Sequence, residues 1–271
     1  MLVDCQAIVL AGQKLGEADT LITFLTLERG VLKGVAKGAR RMKSRFGGAI
    51  QPFTYGHAIL FERRATVLRS VNYFDSIHSF QRLRDDLDAL MNAAAMANAA
   101  RRLLPEEQPA GDAFALLLKA LQALEAGEDG DRRVFWYLLS LLQTAGYQPR
   151  VDRCLVGRHG GTPQASGSPR WVFVPQLGGT VCEGCYANQS VGASGPPAGF
   201  PMTAGVHALL RQALRMPEAL RPRLSAGPEL IREARGLLEA CVAERGRRIV
   251  KRLVPDRRVA ARMNAERLGH V

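Results

Sequence analysis

The stretch that decides the fold is Gly30-Val-Leu-Lys-Gly-Val-Ala-Lys-Gly-Ala-Arg-Arg-Met-Lys-Ser-Arg-Phe46. Its first half, Val31 to Lys37, predicts a β-strand, although polar and apolar residues alternate imperfectly there. Its second half, Gly38 to Gly48, has no apolar period and predicts a long exposed loop. The cations of the stretch are Lys33, Lys37, Arg40, Arg41, Lys43 and Arg45, and no acid accompanies them. We therefore expect a basic strand that continues into a basic loop.

Such a basic surface favours a polyanion as partner. Phosphates spaced along a nucleic acid are the commonest partner of this kind, and each neutralised phosphate releases counterions. The alternative is a solvated charge run that only keeps the protein soluble. We favour nucleic acid because the stretch lacks the Glu and Asp residues that balance an ordinary charged face.

The region around this stretch, residues 3–75, has an all-β pattern. Short strand-like runs are separated by turn signals and cover Gln6–Leu10, Leu21–Leu27, Val31–Lys37, Thr54–Phe61 and Ala65–Val71. Five strands in about seventy residues predict a small closed barrel, for which the oligonucleotide-binding (OB) fold is the usual choice. An SH3-like barrel is the main alternative on strand count alone.

Aromatic residues are interleaved with these strands, and single-stranded nucleic acid is held by a basic groove together with rings that stack on bases. Core packing is expected for Phe24, Phe61 and Phe74. Phe46 lies in the basic loop and is the better candidate for stacking. The basic surface is expected to continue through Arg63, Arg64 and Arg69.

After residue 81 the apolar period becomes helical. Amphipathic helices are predicted over Arg82–Leu104, Phe114–Leu124, Val134–Leu142, Gly205–Met216 and Leu230–Val242. The predicted plan is an OB domain over 1–80, a helical domain over 81–150, an insertion over 151–201, and a second helical part over 202–271. The last part ends in a basic segment from Arg245 to Arg262. The fold class is thus multidomain α+β.

The insertion contains a possible metal site. Cys182 and Cys185 form a Cys-x-x-Cys pair behind Gly178-Gly179, as in a zinc-ribbon knuckle. Cys154 supplies a third ligand, whereas the position three residues further on is Gly157. His159 is the nearby residue that completes a tetrahedral set of three Cys and one His. Two alternatives remain open, namely one structural zinc and a decayed site without metal.

Composition sets further bounds. The formal net charge is +12, the isoelectric point is about 10.1, and no apolar run approaches 18 residues. We expect no membrane association, a cytoplasmic location and reduced cysteines. Two other functions are weighed. An RNA-binding OB protein has the same basic groove, whereas a metal-dependent nuclease is disfavoured because the five histidines are scattered.

These motifs resemble the RecO family of bacterial recombination mediators. The strongest part is Val35-Ala-Lys-Gly-Ala-Arg-Arg-Met-Lys-Ser-Arg-Phe-Gly-Gly48, followed by Gln51-Pro-Phe53. Gly146-Tyr-Gln-Pro149 and Gly178-Gly-Thr-Val-Cys-Glu-Gly-Cys185 extend the resemblance over nearly the whole chain. The chain departs from the family at Gly157, where zinc-bearing relatives have their second cysteine.

The resemblance implies an OB fold, a helical domain and a zinc-ribbon-like insertion. It also implies binding of single- and double-stranded DNA, annealing of complementary strands and association with the nucleoid. The implied partners are the C-terminal tail of single-stranded-DNA-binding protein, RecR and, indirectly, RecA. No catalytic group is needed for these roles, so a non-enzymatic protein is expected.

The resemblance further implies that the helical domain takes the acidic tail of the single-stranded-DNA-binding protein, which ends in an apolar residue. Such a tail needs an apolar pocket rimmed by cations. The cations on or beside the predicted apolar helix faces are Arg132, Arg133, Arg211 and Arg215. The alternative is that these arginines only solvate helix ends.

Overall fold

The computed structural model describes residues 2–62, 69–157, 171–188 and 197–253. The N-terminal strands are β1 (Leu2–Leu15), β2 (Asp19–Thr26), β3 (Gly30–Ala36), β4 (Tyr55–Phe61) and β5 (Arg69–His78). They form a closed barrel in the order β1-β2-β3-β5-β4, in which only the β3–β5 pairing is parallel. The predicted five-stranded barrel is confirmed.

The barrel encloses its own core. Alternate residues of the strands point inward, among them Val9, Ile22 and Leu60, and Phe24 stacks on Phe74 with ring centroids 5.7 Å apart. The opposite side chains of β1, including Ile8 and Leu10, belong to the core of the helical part. Strand β1 is therefore buried on both faces and joins the two cores.

Two strand predictions need correction. The fifth strand was predicted over Ala65–Val71; residues 65–68 lie outside the described residues, and β5 (Arg69–His78) continues through a polar segment beyond the predicted end. A bulge at Asn72 disturbs the period, because Val71 pairs with Leu60 whereas Tyr73 pairs with Ile59. The prediction that Phe61 packs in the core is also wrong, since its side chain is 37% exposed on the outer face of β4.

The helical part begins with α1 (Arg82–Asp85) and α2 (Leu87–Leu103). The single helix predicted there is broken at Asp86, whose extended backbone and side chain cap α2 by accepting from the backbone N–H groups of Asp88 and Ala89. The remaining helices are α3 (Gly111–Glu125), α4 (Gly130–Thr144), α5 (Glu183–Asn188), α6 (Ala204–Arg215) and α7 (Pro228–Leu253). A 3-10 helix, Glu218–Arg223, links α6 to α7.

Helix α4 lies at the centre of the helical core. Every residue from Val134 to Leu142 is buried, and α4 packs against α2, α3 and α7. Within the described parts of the chain, no helix has the length and apolar character needed to cross a bilayer.

A small sheet interrupts the helices. Its strands are β6 (Trp171–Val174), β7 (Gly179–Cys182) and β8 (Phe200–Met202), which pair in the order β7-β6-β8. Arg150 bridges to Gly179, so the segment that carries Cys154 lies beside β7. This placement brings the cysteines of the insertion together.

The segment between α2 and α3 docks on the barrel. Glu106 forms a parallel bridge with Val31, and the Glu107 N–H donates to the Val31 carbonyl over 3.1 Å. Gly30 has a φ of +61°, and a Cβ at this position would lie 2.0 Å from the Gln108 carbonyl oxygen. The barrel and the helical part therefore meet through a close backbone contact that only glycine allows.

Candidate nucleic-acid interface and cysteine site

The predicted basic loop, residues 37–48, follows β3 as a series of turns. Its first turn is fixed to the β1–β2 turn, because the Gly38 N–H donates to Asp19 Oδ1 over 2.8 Å and the Arg40 N–H donates to the Ala18 carbonyl. Gly38 adopts a left-handed φ of +67°, which redirects the chain out of the strand. The loop is thus held at its start against the neighbouring β1–β2 turn.

Phe46 holds the other end of the basic loop. Its ring is 3% exposed and belongs to the barrel core, with the Arg45 guanidinium 4.9 Å from its centroid. The prediction that Phe46 stacks on bases is therefore wrong, because the ring is used to attach the loop to the barrel. Arg45 also donates to the Val71 carbonyl over 3.2 Å.

The predicted cations differ in their partners. Lys37, Arg41 and Lys43 are exposed, and their side chains make no hydrogen bond or ion pair with the described residues. Arg40 donates to the carbonyls of Gly16 and Glu17. The basic loop therefore offers a phosphate three cations without a partner among the described residues. Arg40 and Arg45 add guanidinium groups that donate to neutral backbone carbonyls.

Two cations of the barrel are instead paired with the segment that follows α2. Lys33 Nζ lies 2.5 Å from Glu106 Oε1, and Arg69 bonds Glu62 and Glu107 at 2.9 and 2.8 Å. The hydrogen bond to Glu107 contributes most to raising the pKa of Arg69, and the same bond lowers the pKa of Glu107. Arg63 and Arg64 lie outside the described residues.

The three cysteines of the insertion converge. The sulfur atoms of Cys154, Cys182 and Cys185 all lie within 4.8 Å of one another. Sulfurs about 2.3 Å from a tetrahedral zinc lie roughly 3.8 Å apart, so this cluster fits three ligands of one such ion. The fourth predicted ligand, His159, lies outside the described residues.

The backbone around the cluster favours one thiolate. Burial alone would raise the pKa of Cys154, but backbone N–H groups, including those of Cys182 and Gly157 at 3.4 and 3.3 Å, lower it below its usual value. Burial and hydrogen bonds within the cluster raise the pKa of Cys185 to about 12. A bound cation would offset the cost of ionising Cys185 next to the Cys154 thiolate.

The four arginines predicted to bind the partner tail occupy two separate pockets. Arg132 and Arg133 line a pocket of about 270 Å³ between α3, α4 and the 3-10 helix. Arg132 donates to the carbonyls of Leu224 and Ala226 at 3.1 and 2.9 Å, and Arg133 pairs with Glu128. Arg132 is therefore used mainly to hold the segment before α7.

The first pocket contains residues that the sequence did not indicate. Trp136 Nε1 and Tyr137 Oη are buried and have no hydrogen-bond partner among the described residues. Lys119 and Leu116 contribute an exposed cation and an apolar wall. The helical pattern of the sequence assigns Trp136 and Tyr137 to the core. It gives no sign that their polar atoms lack hydrogen-bond partners there.

Arg211 and Arg215 line a second, more open groove of about 550 Å³ along α6. His207 forms its base by stacking on Trp171, with centroids 5.0 Å apart, and by bonding the Val151 carbonyl. Burial is the main cause that lowers the pKa of His207, and the nearby charge of Arg211 acts in the same direction. The groove is thus cationic through its two arginines.

A closed five-stranded barrel with an attached basic loop, followed by a helical domain, defines an OB-fold protein of multidomain α+β architecture. Family models described as "Recombination protein O N terminal" and "Recombination protein O C terminal" match residues 1–80 and 84–253. The chain belongs to the recombination protein O (RecO) family.

Several relatives are similar over most of their length. "DNA repair protein RecO" of Anaeromyxobacter sp. (strain K) is 34% identical over 94% of this chain and 96% of that protein. The protein of the same name from Myxococcus xanthus (strain DK1622) is 35% identical over 91% of this chain and 93% of that protein. The protein of that name from Nocardioides sp. (strain ATCC BAA-499 / JS614) is 40% identical over 68% of this chain and 75% of that protein. These matches do not favour the RNA-binding or nuclease alternatives.

Proposed function

We propose that this protein is a DNA-binding recombination mediator in DNA repair that anneals complementary strands. The observation that carries the proposal is the group of uncommitted cations Lys37, Arg41 and Lys43 on an OB barrel. The family and the names of its relatives support DNA as the polyanion. The ligands are single- and double-stranded DNA.

Annealing follows from charge and requires no catalytic side chain. Two strands repel each other through their phosphates, and cations that bind both backbones reduce this repulsion while the bases stay free to pair. The basic loop projects such cations beyond the barrel surface, and Arg40 and Arg45 keep guanidinium groups near it. We propose that this surface holds the phosphate backbone.

Arg41→Gln tests the DNA site, with Arg223→Gln as a control that removes another exposed arginine, from the 3-10 helix of the helical part. Loss of one phosphate contact lowers the log–log salt slope by about 0.7 for single strands and 0.9 for duplex DNA. We expect this change in Arg41→Gln only, measured by fluorescence anisotropy at several salt concentrations. An unchanged slope in a folded Arg41→Gln, Lys43→Gln protein would exclude the basic loop.

We propose that the acidic tail of the single-stranded-DNA-binding protein occupies the pocket beside Arg133. The tail's apolar last residue fits the wall formed by Leu116 and Trp136, and Lys119 and Arg133 face its carboxylates. The buried Trp136 N–H and Tyr137 hydroxyl supply unused donors for the terminal carboxylate.

A labelled tail peptide tests this pocket at two salt concentrations. Lys119→Glu with Arg133→Glu should weaken peptide binding, and more strongly at low salt, because rim charges act through screened attraction. Arg211→Glu with Arg215→Glu is the matched control in the second groove. If only the control pair loses affinity, the tail binds along α6 instead.

We also propose that the protein forms a complex with RecR and thereby helps to load RecA. Membership of the family supports this proposal, and no residues are assigned to either contact. Analytical ultracentrifugation of the protein with its cognate RecR tests complex formation directly, and a mixture that sediments as two separate species would contradict it.

We propose that Cys154, Cys182 and Cys185 hold one structural zinc, with His159 as the fourth ligand. The close approach of the three sulfurs supports the site. Elemental analysis of protein purified without chelator should find one zinc per chain, lost in Cys182→Ser but kept in Cys5→Ser, whose thiol lies in the barrel. Absence of zinc from the parent protein would mean that the site has decayed.

A further inference from the structure

The outer face of β1, β4 and β5 carries an exposed apolar block. Leu2 lies opposite Phe61, and Ile59 lies opposite Tyr73. Residues that face each other across antiparallel strands point to the same side, so these side chains are neighbours. Tyr73 is 53% exposed, and Phe61 is exposed on the adjacent strand β4.

Both rings lack the contacts that core rings make. Their inward neighbours Leu60 and Phe74 fill the barrel, whereas Phe61 and Tyr73 make no ring contact with any described residue. Two exposed aromatic side chains on adjacent strands cost solvation free energy unless a partner covers them. The block therefore indicates a binding surface.

The cations next to this block identify the partner. Strand β5 pairs with β3 only through Arg69 and Ser70, and the basic loop contacts β5 immediately beyond them, where Arg45 bonds the Val71 carbonyl. Val71 precedes Tyr73 by two residues, so Arg45 of the basic loop meets β5 two residues before Tyr73. The acids of the same face are Asp4, which lies opposite Ile59 on the β1 side of the block, and Asp75, which follows Tyr73 by two residues on the side away from the basic loop.

We propose that Phe61 and Tyr73 form a base-stacking platform for single-stranded DNA, whose phosphates follow Lys43 and Arg45. The inference rests on the proposed DNA-binding function of the basic loop and assigns the stacking rings that Phe46 does not supply. Bases of a single strand have free faces that rings can cover, whereas bases in a duplex are already stacked on one another.

The expected signature separates rings from charges. Removing a stacking ring should weaken single-strand binding by about five- to hundredfold. The salt slope should stay unchanged, because no ion is removed with the ring. Duplex binding should also stay unchanged.

The experiment compares Tyr73→Ala and Phe61→Ala with Ile77→Ala, an exposed aliphatic residue that also lies on β5. Binding of an oligothymidylate and of a hairpin duplex is measured at two salt concentrations, and thermal melting confirms folding. Loss of single-strand affinity in both ring variants, little change in Ile77→Ala, and recovery in Tyr73→Phe would support the platform.

Other outcomes overturn the inference in distinguishable ways. If the ring variants bind the oligothymidylate like the parent while Arg41→Gln is weakened, the platform is wrong and the DNA function stands. If neither the ring variants nor Arg41→Gln lower the affinity for the oligothymidylate, both the stacking platform and the DNA site in the basic loop are wrong. If the ring variants instead change the sedimentation of the protein without DNA, the block is an interface between copies of this chain.

Discussion

At the scale of single residues, Arg69 shows how a barrel cation becomes structural. Its side chain is 7% exposed and bonds two carboxylates, one of them from the segment after α2. The carboxylates of Glu62 and Glu107 are themselves more open to water. The cluster therefore attaches the helical part to the barrel rather than offering a charge to DNA.

Arg69→Met is expected to destabilise the protein by about 1–3 kcal/mol, because the buried ion pairs are lost but the carboxylates regain water. The pKa of Glu107 is lowered in the folded state, so its contribution is complete above the unfolded pKa and is lost as the pH falls through the folded pKa. Urea unfolding at pH 7 and at pH 3 should show a smaller effect at pH 3. An equal effect at both would contradict this role.

Residue roles were harder to predict than residue positions. The alternation of Ala58 and Leu60 towards the core already placed Phe61 outside, yet its apolar character suggested burial. Tyr73 followed a bulge that no sequence pattern revealed. Phe46 was misassigned because a loop of polar residues gives no sign that one ring returns to the core.

At the scale of elements, the contact between β3 and the segment after α2 depends on Gly30. Gly30→Ala should cost about 1–2 kcal/mol for the left-handed conformation alone, and more because its Cβ would meet the Gln108 carbonyl. Gly16→Ala is the matched control, since Gly16 has a φ of +62° with no atom within 4 Å of its Cβ position. If Gly30→Ala and Gly16→Ala lower the free energy of unfolding in urea by the same amount, Gly30 and the Gln108 carbonyl are not in close contact.

The contact between β3 and the segment after α2 also neutralises one positive charge of the barrel. Glu106 neutralises Lys33, so Glu106→Gln should strengthen single-stranded DNA binding and increase the salt slope by up to about 0.7. Stability should change little, because this pair is exposed to water. Glu229→Gln, an exposed acid at the start of α7, controls for net charge. A gain of the same size in both variants would indicate a long-range effect only.

The closed five-stranded barrel and the order of the main helices followed from local patterns, but the register that closes the barrel did not. The parallel pairing of Gly34 with Arg69 joins residues far apart in the chain, and no local period predicts such a register. The break at Asp86 was missed because the apolar period continues across it. Cys154, Cys182 and Cys185 were grouped correctly because their spacing carries the chemistry of a shared ligand site.

At the scale of the whole molecule, the proposed sites for DNA and for the partner tail lie in different domains. Lys119→Glu with Arg133→Glu should therefore impair annealing of strands coated with single-stranded-DNA-binding protein, yet leave annealing of naked strands nearly unchanged. On strands coated with a single-stranded-DNA-binding protein that lacks its acidic tail, the parent and the variant should anneal at the same rate. Annealing can be followed with complementary fluorescent oligonucleotides, and equal loss on naked strands would contradict the separation.

The position of α7 has a consequence for synthesis of the protein. Helix α7 packs against α2 and α4, although more than one hundred residues separate it from the end of α2. At about 5–20 residues per second, the ribosome needs roughly 6–25 seconds to make this interval. The barrel encloses a core of its own and has all its strands by His78, whereas the apolar faces of α2 and α4 await their partner. The nascent chain is therefore most exposed to chaperones and proteases after the barrel has folded.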